Sequence, residues 1–304
     1  MKRRSLIQAA VLAPALALPL GWEPLASAAQ IDDGTVVRAP LPADERMACA
    51  VLPANRILSY YGFPGNELMG ILGEFDQKTV LAKLRRQAAA YEAADPSRPF
   101  KLAFEVIASV AQRDPQADGS YLAYTGADIV QRYIDFTKAN DLLLILDVQF
   151  GRRSIQQELE AMSPYLEAEH VHIAIDPEFH VKEGEVPGEN LGTIDAADVL
   201  YAQQTLADFA AQRGLAPKIL VVHQFNYYSI SNKDQIAPVD GVQFVLEVDG
   251  WGPPNEKRDT YGVIAAPPPI EFYGFKLWYG QDDPLMTEAE VLALSPSPDI
   301  VIYQ

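Results

Sequence analysis

The sequence alternates eight short apolar runs with longer stretches of helical periodicity. Each run is rich in Val, Ile, Leu and aromatic residues and is bounded by Gly or Pro, which is typical of β-strands. Strands separated by helices favour parallel pairing through right-handed crossovers. The predicted strands are residues 56–61, 100–109, 142–149, 172–179, 218–225, 242–249, 270–279 and 299–303.

Five intervening stretches are predicted to be helices, at residues 77–94, 126–140, 154–166, 196–213 and 287–294. Gly214 closes the fourth, and Thr287 with Glu290 forms a capping-box pattern at the start of the fifth. No glycine-rich phosphate turn follows the first strand, so the pattern favours an α/β fold of the (β/α)8 TIM type over a doubly wound sheet. An irregular barrel without a helix in the sixth unit is the alternative, because prolines crowd residues 253–254 and 267–269.

The first 29 residues have the pattern of a twin-arginine-like signal peptide. Lys2, Arg3 and Arg4 precede an apolar run of about 15 residues, too short to cross a bilayer, and small residues near Ala28 resemble a cleavage site. Residues 30–46 are predicted to be a linker, and residues 47–304 a single barrel domain. We therefore expect a secreted or cell-envelope protein with no membrane contact once the signal is cleaved.

The chain is strongly acidic, with 41 Asp and Glu against 24 Lys and Arg and a net charge of −17. Nucleic acids and anionic membranes are therefore not expected partners. Cys49 is the only cysteine, which excludes an internal disulfide, and we expect its thiol to be buried and inert. There is neither a Gly-x-Ser-x-Gly elbow nor a phosphate loop, and we predict no cofactor and no bound metal.

Polar residues end several of the otherwise apolar strands. The active site of a (β/α)8 barrel forms at these C-terminal ends, and alternation along a strand places Asp147 and Gln149, for example, on one face. We therefore predict an acidic pocket at this end of the barrel. Its catalytic candidates are Glu178, Asp176, Asp147 and Asp249, and its substrate-binding candidates are Glu105, Gln149, His223, Gln224, Glu247, Lys276, Trp278, Tyr61 and Trp251.

The segment Asp176-Pro177-Glu178 is the sharpest chemical signal. On a regular strand its two carboxylates would lie about 6–7 Å apart along one face. One acid can then stay protonated while its neighbour stays charged, which suits Glu178 as a general acid and Asp176 or Asp147 as the group that stabilises an oxocarbenium-like centre or a substrate acetamido group. This D-x-E ending resembles the acidic motifs of barrel glycoside hydrolases of the chitinase and lysozyme-like type, although the longer chitinase signature is missing.

Aromatic residues at or just beyond the strand ends are compatible with stacking on sugar rings. They are Tyr60, Tyr61, Tyr227, Tyr228, Trp251, Trp278 and Tyr279. We therefore expect a carbohydrate or another small polar ligand as the partner of the pocket.

Beyond its leader the sequence also resembles a family of exported bacterial proteins described as lipoproteins or hypothetical proteins, to which no activity is attached. The segments that carry this resemblance are residues 60–62, 69–73, 220–225 and 299–304. The resemblance implies an exported (β/α)8 barrel and leaves its function open.

Three functions fit these observations. The first is an exported glycoside hydrolase that acts on an extracellular or cell-wall polysaccharide. The second is a catalytically silent carbohydrate-binding or scaffold barrel. The third is a metal-dependent ester or phosphoester hydrolase, whose ligands would be the carboxylates with His180 or His223. His170, His172 and His180 are expected to have surface or packing roles, whereas His223 follows a buried Leu-Val-Val run and is predicted to be functional.

Overall fold

A computed structural model of the chain describes residues 43–266 and 270–304. The predicted signal peptide, most of the predicted linker and the prolines at 267–269 lie outside these residues. Where the described part begins, helix α1 (Ala43–Ala48) occupies the end of the segment predicted to be a linker.

Eight parallel strands form a closed barrel, which confirms the predicted (β/α)8 architecture. Each strand pairs with the next one along the chain, and β1 pairs with both β2 and β8, which closes the sheet. All eight predicted strands are confirmed, with ends shifted by a few residues. They are β1 (Arg56–Gly62), β2 (Phe100–Ala111), β3 (Leu143–Gly151), β4 (Val171–His180), β5 (Lys218–Gln224), β6 (Val242–Val248), β7 (Phe272–Leu277) and β8 (Ile300–Tyr303).

Helices connect the strands on the outside of the barrel, and all five predicted helices are confirmed. After α1 they are α2 (Ile71–Glu74), α3 (Gln77–Ala94), α4 (Ala127–Ala139), α5 (Ile155–Met162), α6 (Ala196–Arg213), α7 (Pro254–Ile264) and α8 (Glu288–Leu292). A short antiparallel strand, Leu122–Tyr124, extends the edge of β2. Two-residue strands at Ile194–Asp195 and Ile230–Ser231 pair in the loops that follow β4 and β5.

The alternative with no helix in the sixth unit is wrong. Helix α7 follows β6, and its prolines occupy the N-cap and the first helical position, where the missing backbone N–H has no helical partner to lose. The irregular unit is the fifth, because the 3₁₀ turn Lys233–Gln235 is the one helical segment in the connection from β5 to β6.

Local side-chain contacts fix where the other helices begin and end. The Asp76 carboxylate accepts from two backbone N–H groups in the first turn of α3, and the predicted capping box of Thr287 and Glu290 starts α8. Helix α6 ends at Gly214, whose φ of 65° favours glycine. These caps set where each chain segment returns to the barrel.

Alternation along the strands produces two apolar layers. One parity, which includes Leu58 and Leu144, packs between the barrel and its helices. The other parity, which includes Ile57, Ile145 and Ile302, fills the barrel interior. Polar residues of the second parity near the C-terminal strand ends are therefore directed into the barrel above this apolar floor.

Two further observations concern the single cysteine and the character of the helices. Cys49 is exposed rather than buried as predicted, because it lies just after α1 on the segment that precedes the first strand. Among the helices that the structure describes, none combines the length and the apolar character needed to cross a membrane.

Candidate active site

The predicted strand-end residues form one buried cluster of charged side chains at the C-terminal end of the barrel. The deepest members, Glu105, Asp147, His223 and Glu247, have no exposed surface. Asp176, Glu178 and Asp249 retain 3–7% of theirs. Because only these last three carboxylates are partly exposed, their side of the cluster faces the solvent-accessible end of the barrel.

His223 occupies the centre of the deep layer, between two carboxylates. Its Nε2 donates to Glu105 Oε1 at 2.7 Å and its Nδ1 donates to Glu247 Oε2 at 2.6 Å. Burial alone would lower the pKa of His223, but the Asp176 and Glu105 charges and these two hydrogen bonds raise it well above its ordinary value. His223 is therefore a cation held by two carboxylates.

Glu247 fits into the barrel because the facing residue is glycine. A Cβ on Gly274 would lie 2.7 Å from Glu247 Cγ and 3.1 Å from its Cα. Burial raises the pKa of Glu247, and the hydrogen bond from His223 opposes that rise. A glycine within a strand is a known mark of close approach, although the sequence alone does not show what approaches it.

Lys276 supplies the second cation, in the layer nearer the strand ends. Its Nζ lies 3.0 Å from Asp249 Oδ1 and stands over the rings of Tyr61 and Trp278, at 3.8 and 4.7 Å from their centroids. Burial would lower the pKa of Lys276, but the Asp249, Glu247 and Asp176 carboxylates raise it above its ordinary value. The ammonium group is therefore charged, and it neutralises Asp249.

Asp147 and Asp176 have only neutral hydrogen-bond donors. Tyr61 Oη donates to Asp147 Oδ2 at 2.7 Å, and Gln149 Nε2 donates to Asp176 Oδ2 at 3.3 Å. Burial raises the pKa of Asp147 to about 6, against the opposing charge of His223. Burial, followed by the Asp147 and Glu178 carboxylates, raises the pKa of Asp176 well above its usual range. In each carboxyl group Oδ1 has no hydrogen-bond partner.

Glu178 is a second carboxyl group of the cluster that holds its proton near neutral pH. Burial and the neighbouring Asp249 carboxylate raise its pKa to about 8. Carboxylate oxygens of Asp176, Glu178 and Asp249 all lie within 4.8 Å of one another. That approach is closer than the expected 6–7 Å, because β4 bulges: Gln149 and Gly151 of β3 pair with Asp176 and His180, so the segment between them bends out of the regular strand.

Aromatic side chains line the rim above the carboxylates. Trp251 packs against Phe225 and Trp278, with ring centroids 5.1 and 5.4 Å away. Trp278 Nε1 donates to the backbone oxygen of Asp249 at 3.1 Å, which joins the rim to the site. Tyr227 and Tyr228 are exposed in the loop that follows β5.

Several predicted residues lie elsewhere. The Gln224 side chain donates to the backbone of Asn226, and alternation places it on the opposite face of β5 from His223, so the structure does not bring it into the cluster. Tyr60 has the outward parity, and its hydroxyl meets that of Tyr279 at 3.1 Å on the outside of the barrel. These two rings do not line the rim.

The other histidines make structural contacts. His172 accepts from the backbone N–H of Ile219 at 3.1 Å inside the barrel, and burial lowers its pKa well below its ordinary value. His180 contacts the Thr193 carbonyl and the Phe150 ring, and His170 contacts the backbone of Ile134. The structure therefore does not bring His180 together with the carboxylates beside which it was a candidate metal ligand.

Three overlapping groups of side chains in the described residues have the spacing of metal ligands, and two of them include His223. Because both ring nitrogens of His223 donate to carboxylates, this histidine offers no lone pair to a metal. The third group is Asp176, Glu178 and Asp249, whose oxygen donors suit a hard divalent cation once Glu178 has lost its proton.

A buried ion pair missing from the sequence prediction supports the site from behind. Lys257 of α7 lies 2.9 Å from Asp282 and also donates to the backbone oxygens of Gly250 and Lys276. Asp282 in turn accepts from the backbone N–H groups of Gly252 and Trp278. The pair thus fixes the loops that carry Asp249 and Trp278. Its partners are remote in sequence and follow no motif, so the sequence offered no signal for it.

No protein-family model matches the sequence, and no curated protein matches it. Among solved structures, the YdhT protein from Bacillus subtilis is similar at 12% identity, with 83% of this chain and 81% of that chain covered and a TM-score of 0.41. Bacillus subtilis mannanases BCman and man26 are each similar at 11% identity, with 82% of this chain and 80% of theirs covered and TM-scores of 0.39 and 0.40.

Proposed function

We propose that this chain is an exported glycoside hydrolase that acts on an extracellular or cell-wall polysaccharide, with Glu178 as its general acid and Asp249 as the partner carboxylate. The observation that carries the proposal is the buried, close grouping of Asp176, Glu178 and Asp249 on the side of the cluster that faces the solvent-accessible end of the barrel. A carboxyl group with a pKa of about 8 beside an ion-paired carboxylate is the division of roles that glycoside hydrolysis requires.

Asp249 is preferred to Asp176 as the partner because of its charge. The Lys276 ammonium group lies 3.0 Å from Asp249 Oδ1 and supplies its counter-charge, whereas Asp176 has a strongly raised pKa and a single neutral donor. Paired carboxyl groups about 5–5.5 Å apart are typical of retaining glycosidases, while inverting enzymes need about 6.5–9.5 Å to admit a water molecule. The close approach of Glu178 and Asp249 therefore favours retention.

The chemistry then proceeds in two displacements. Glu178 gives its proton to the glycosidic oxygen as the bond from that oxygen to the anomeric carbon breaks, and Asp249 forms an ester with that carbon. Water next attacks the anomeric carbon, gives a proton to Glu178 and releases Asp249. The Trp251 and Trp278 rings, which contact each other at the rim, offer apolar surface on which a sugar of the substrate can stack.

The first experiment measures reducing-end release by the purified protein from a panel of bacterial cell-wall and extracellular polysaccharides. Parent protein is compared with Glu178→Gln, Asp249→Asn and the control Glu92→Gln, which removes one charge from an exposed position on α3. We expect Glu178→Gln and Asp249→Asn to lower release at least 100-fold, since a positioned general acid contributes about 10²–10⁴ in rate. The control should match the parent.

NMR of the product measures the anomeric configuration that forms first, and this configuration distinguishes retention from inversion. Retention supports Asp249 as the nucleophile. Release that survives in Glu178→Gln would refute the assigned acid. Saturable sugar binding with no release by the folded parent would replace the hydrolase with the catalytically silent binding barrel, and release that stops on chelation would favour a metal site at the three carboxylates.

A further inference from the structure

We infer that the substrate carries a free amino group beside the scissile bond, which makes it a polysaccharide of de-N-acetylated amino sugars, and that its ammonium group binds between Asp147 and Asp176. This inference rests on the proposed function and names its substrate class.

The first argument is the charge balance inside the barrel. Of the six carboxyl groups in the described cluster, Glu105 and Glu247 share the His223 cation, and Asp249 has the Lys276 cation. The other three lack a cationic partner; they are Asp147, Asp176 and Glu178. Glu178 keeps its proton for catalysis, whereas a buried carboxylate at the other two positions is costly without a counter-ion. A cation supplied by the substrate would remove that cost.

The second argument is geometric. Asp147 Oδ1 and Asp176 Oδ1 are buried acceptors without a hydrogen-bond partner. Asp147 and Asp176 offer carboxylate oxygens that lie within 4.8 Å of each other and of a ring nitrogen of His223, whose own N–H groups are directed to Glu105 and Glu247. A tetrahedral ammonium nitrogen about 2.9 Å from two acceptor oxygens holds those oxygens about 4.7 Å apart. Two acceptor oxygens within this distance can both accept from one ammonium group, while an acetamido group has only one N–H to donate and a bulkier, neutral body.

The third argument comes from outside the cluster. The rim presents the Trp251 and Trp278 rings, and cationic sugars bind aromatic faces through cation–π attraction as well as stacking. The whole chain carries a net charge of −17, which attracts a polycation from a distance and repels a polyanion. A net negative charge, an aromatic rim and buried carboxylates without an ion-pair partner all favour a positively charged polymer.

The test compares matched ligands that differ only in N-acetylation. Calorimetry measures the affinity of the purified protein for glucosamine and galactosamine oligomers and for the fully N-acetylated form of each. We expect at least one amino form to bind at least 10-fold more tightly than its acetylated counterpart. Asp147→Asn and Asp176→Asn should each reduce that preference at least 5-fold, while the exposed Glu92→Gln control keeps the parental ratio.

The same samples are assayed for reducing-end release, which separates the two proposals. Amine-selective binding without release supports the inference and overturns the hydrolase. Release with equal or better use of acetylated or neutral sugars supports the hydrolase and overturns the inference. A preference that survives in both Asp147→Asn and Asp176→Asn overturns the assigned ammonium site, as does the absence of any amine-selective binding.

Discussion

His223 shows how much a single buried cation contributes to this fold. It lies between Glu105 and Glu247, with hydrogen bonds of 2.7 and 2.6 Å, and none of the three side chains reaches solvent. Replacing His223 by Leu leaves two carboxylates facing each other in the barrel. Because removing one partner of a buried ion network strands the others, we expect a loss of about 3–5 kcal/mol in the free energy of unfolding, measured by urea denaturation.

The matched comparison for His223 removes the whole network. In His223→Leu/Glu105→Leu/Glu247→Leu no buried charge of the trio is left, so the triple variant should be more stable than the single variant. A triple variant that is less stable than His223→Leu, or a single variant that loses under about 1 kcal/mol, would mean that the charges are solvated or that the ion network itself stabilises the barrel.

Strand β7 depends on a glycine for its fit to β6. A Cβ at position 274 would meet the side chain and Cα of Glu247 at 2.7–3.1 Å, and the Glu247 side chain is itself held by His223 and cannot move away. Gly274→Ala should therefore cost about 1–3 kcal/mol in the free energy of unfolding, as overpacking does. Gly262→Ala is the control: it lies in α7 with open space around it, and it should gain about 0.5–1 kcal/mol from helix propensity.

Equal effects of the two alanines would contradict this account, because both substitutions add the same methyl group. A Gly274→Ala variant that keeps parental stability would show that β6 and β7 can separate without cost. Thermal or urea unfolding of both variants, with the same instrument and buffer, is sufficient to decide.

The strands were predictable because each is a run of apolar residues with clear boundaries, and the parity of Asp147, Asp176 and Lys276 followed from simple alternation. Two things were not predictable. The bulge in β4 brings the oxygens of Asp176 and Glu178 together, and a bulge leaves no residue pattern that distinguishes it from a regular strand. The Lys257 and Asp282 pair depends on a tertiary contact between segments remote in sequence.

The alternative of an irregular sixth unit is wrong because it treats proline only as a helix breaker. Pro253 and Pro254 occupy the N-cap and the first position of α7, where proline is favoured. The connection after β5, by contrast, contains no α-helix although it has fewer prolines than the connection after β6. Likewise the rule that polar residues at strand ends enter the pocket selects both His223 and Gln224, although alternation directs neighbouring side chains to opposite faces.

The barrel as a whole combines a well-packed apolar floor with a cluster of acids that it holds in unfavourable surroundings. Burial raises the pKa values of Asp147, Asp176, Glu178 and Glu247, so in the folded protein these groups resist ionisation more than they do in the unfolded chain. Such groups stabilise the fold while they are protonated, and the contribution is lost as pH rises through the folded-state pKa. The stability that is lost at high pH is a consequence of the site's chemistry, because a general acid must hold its proton near neutral pH.

The raised pKa of Glu178 predicts how the free energy of unfolding of the whole protein depends on pH. Its pKa rises from 4.5 in the unfolded chain to about 8 in the folded state, so between pH 5.5 and 7.5 the native protein holds one more proton at this position than the unfolded chain. Linkage then requires the free energy of unfolding to fall with rising pH, by roughly 1 kcal/mol per pH unit from Glu178 alone. Glu178→Gln removes that contribution, so its stability should fall less steeply than the parent's over this range.

Urea titrations at four pH values measure both slopes, with Glu92→Gln as the exposed control that keeps the parental slope. Parallel slopes for parent and Glu178→Gln would show that Glu178 ionises normally in the fold and would remove it as the general acid.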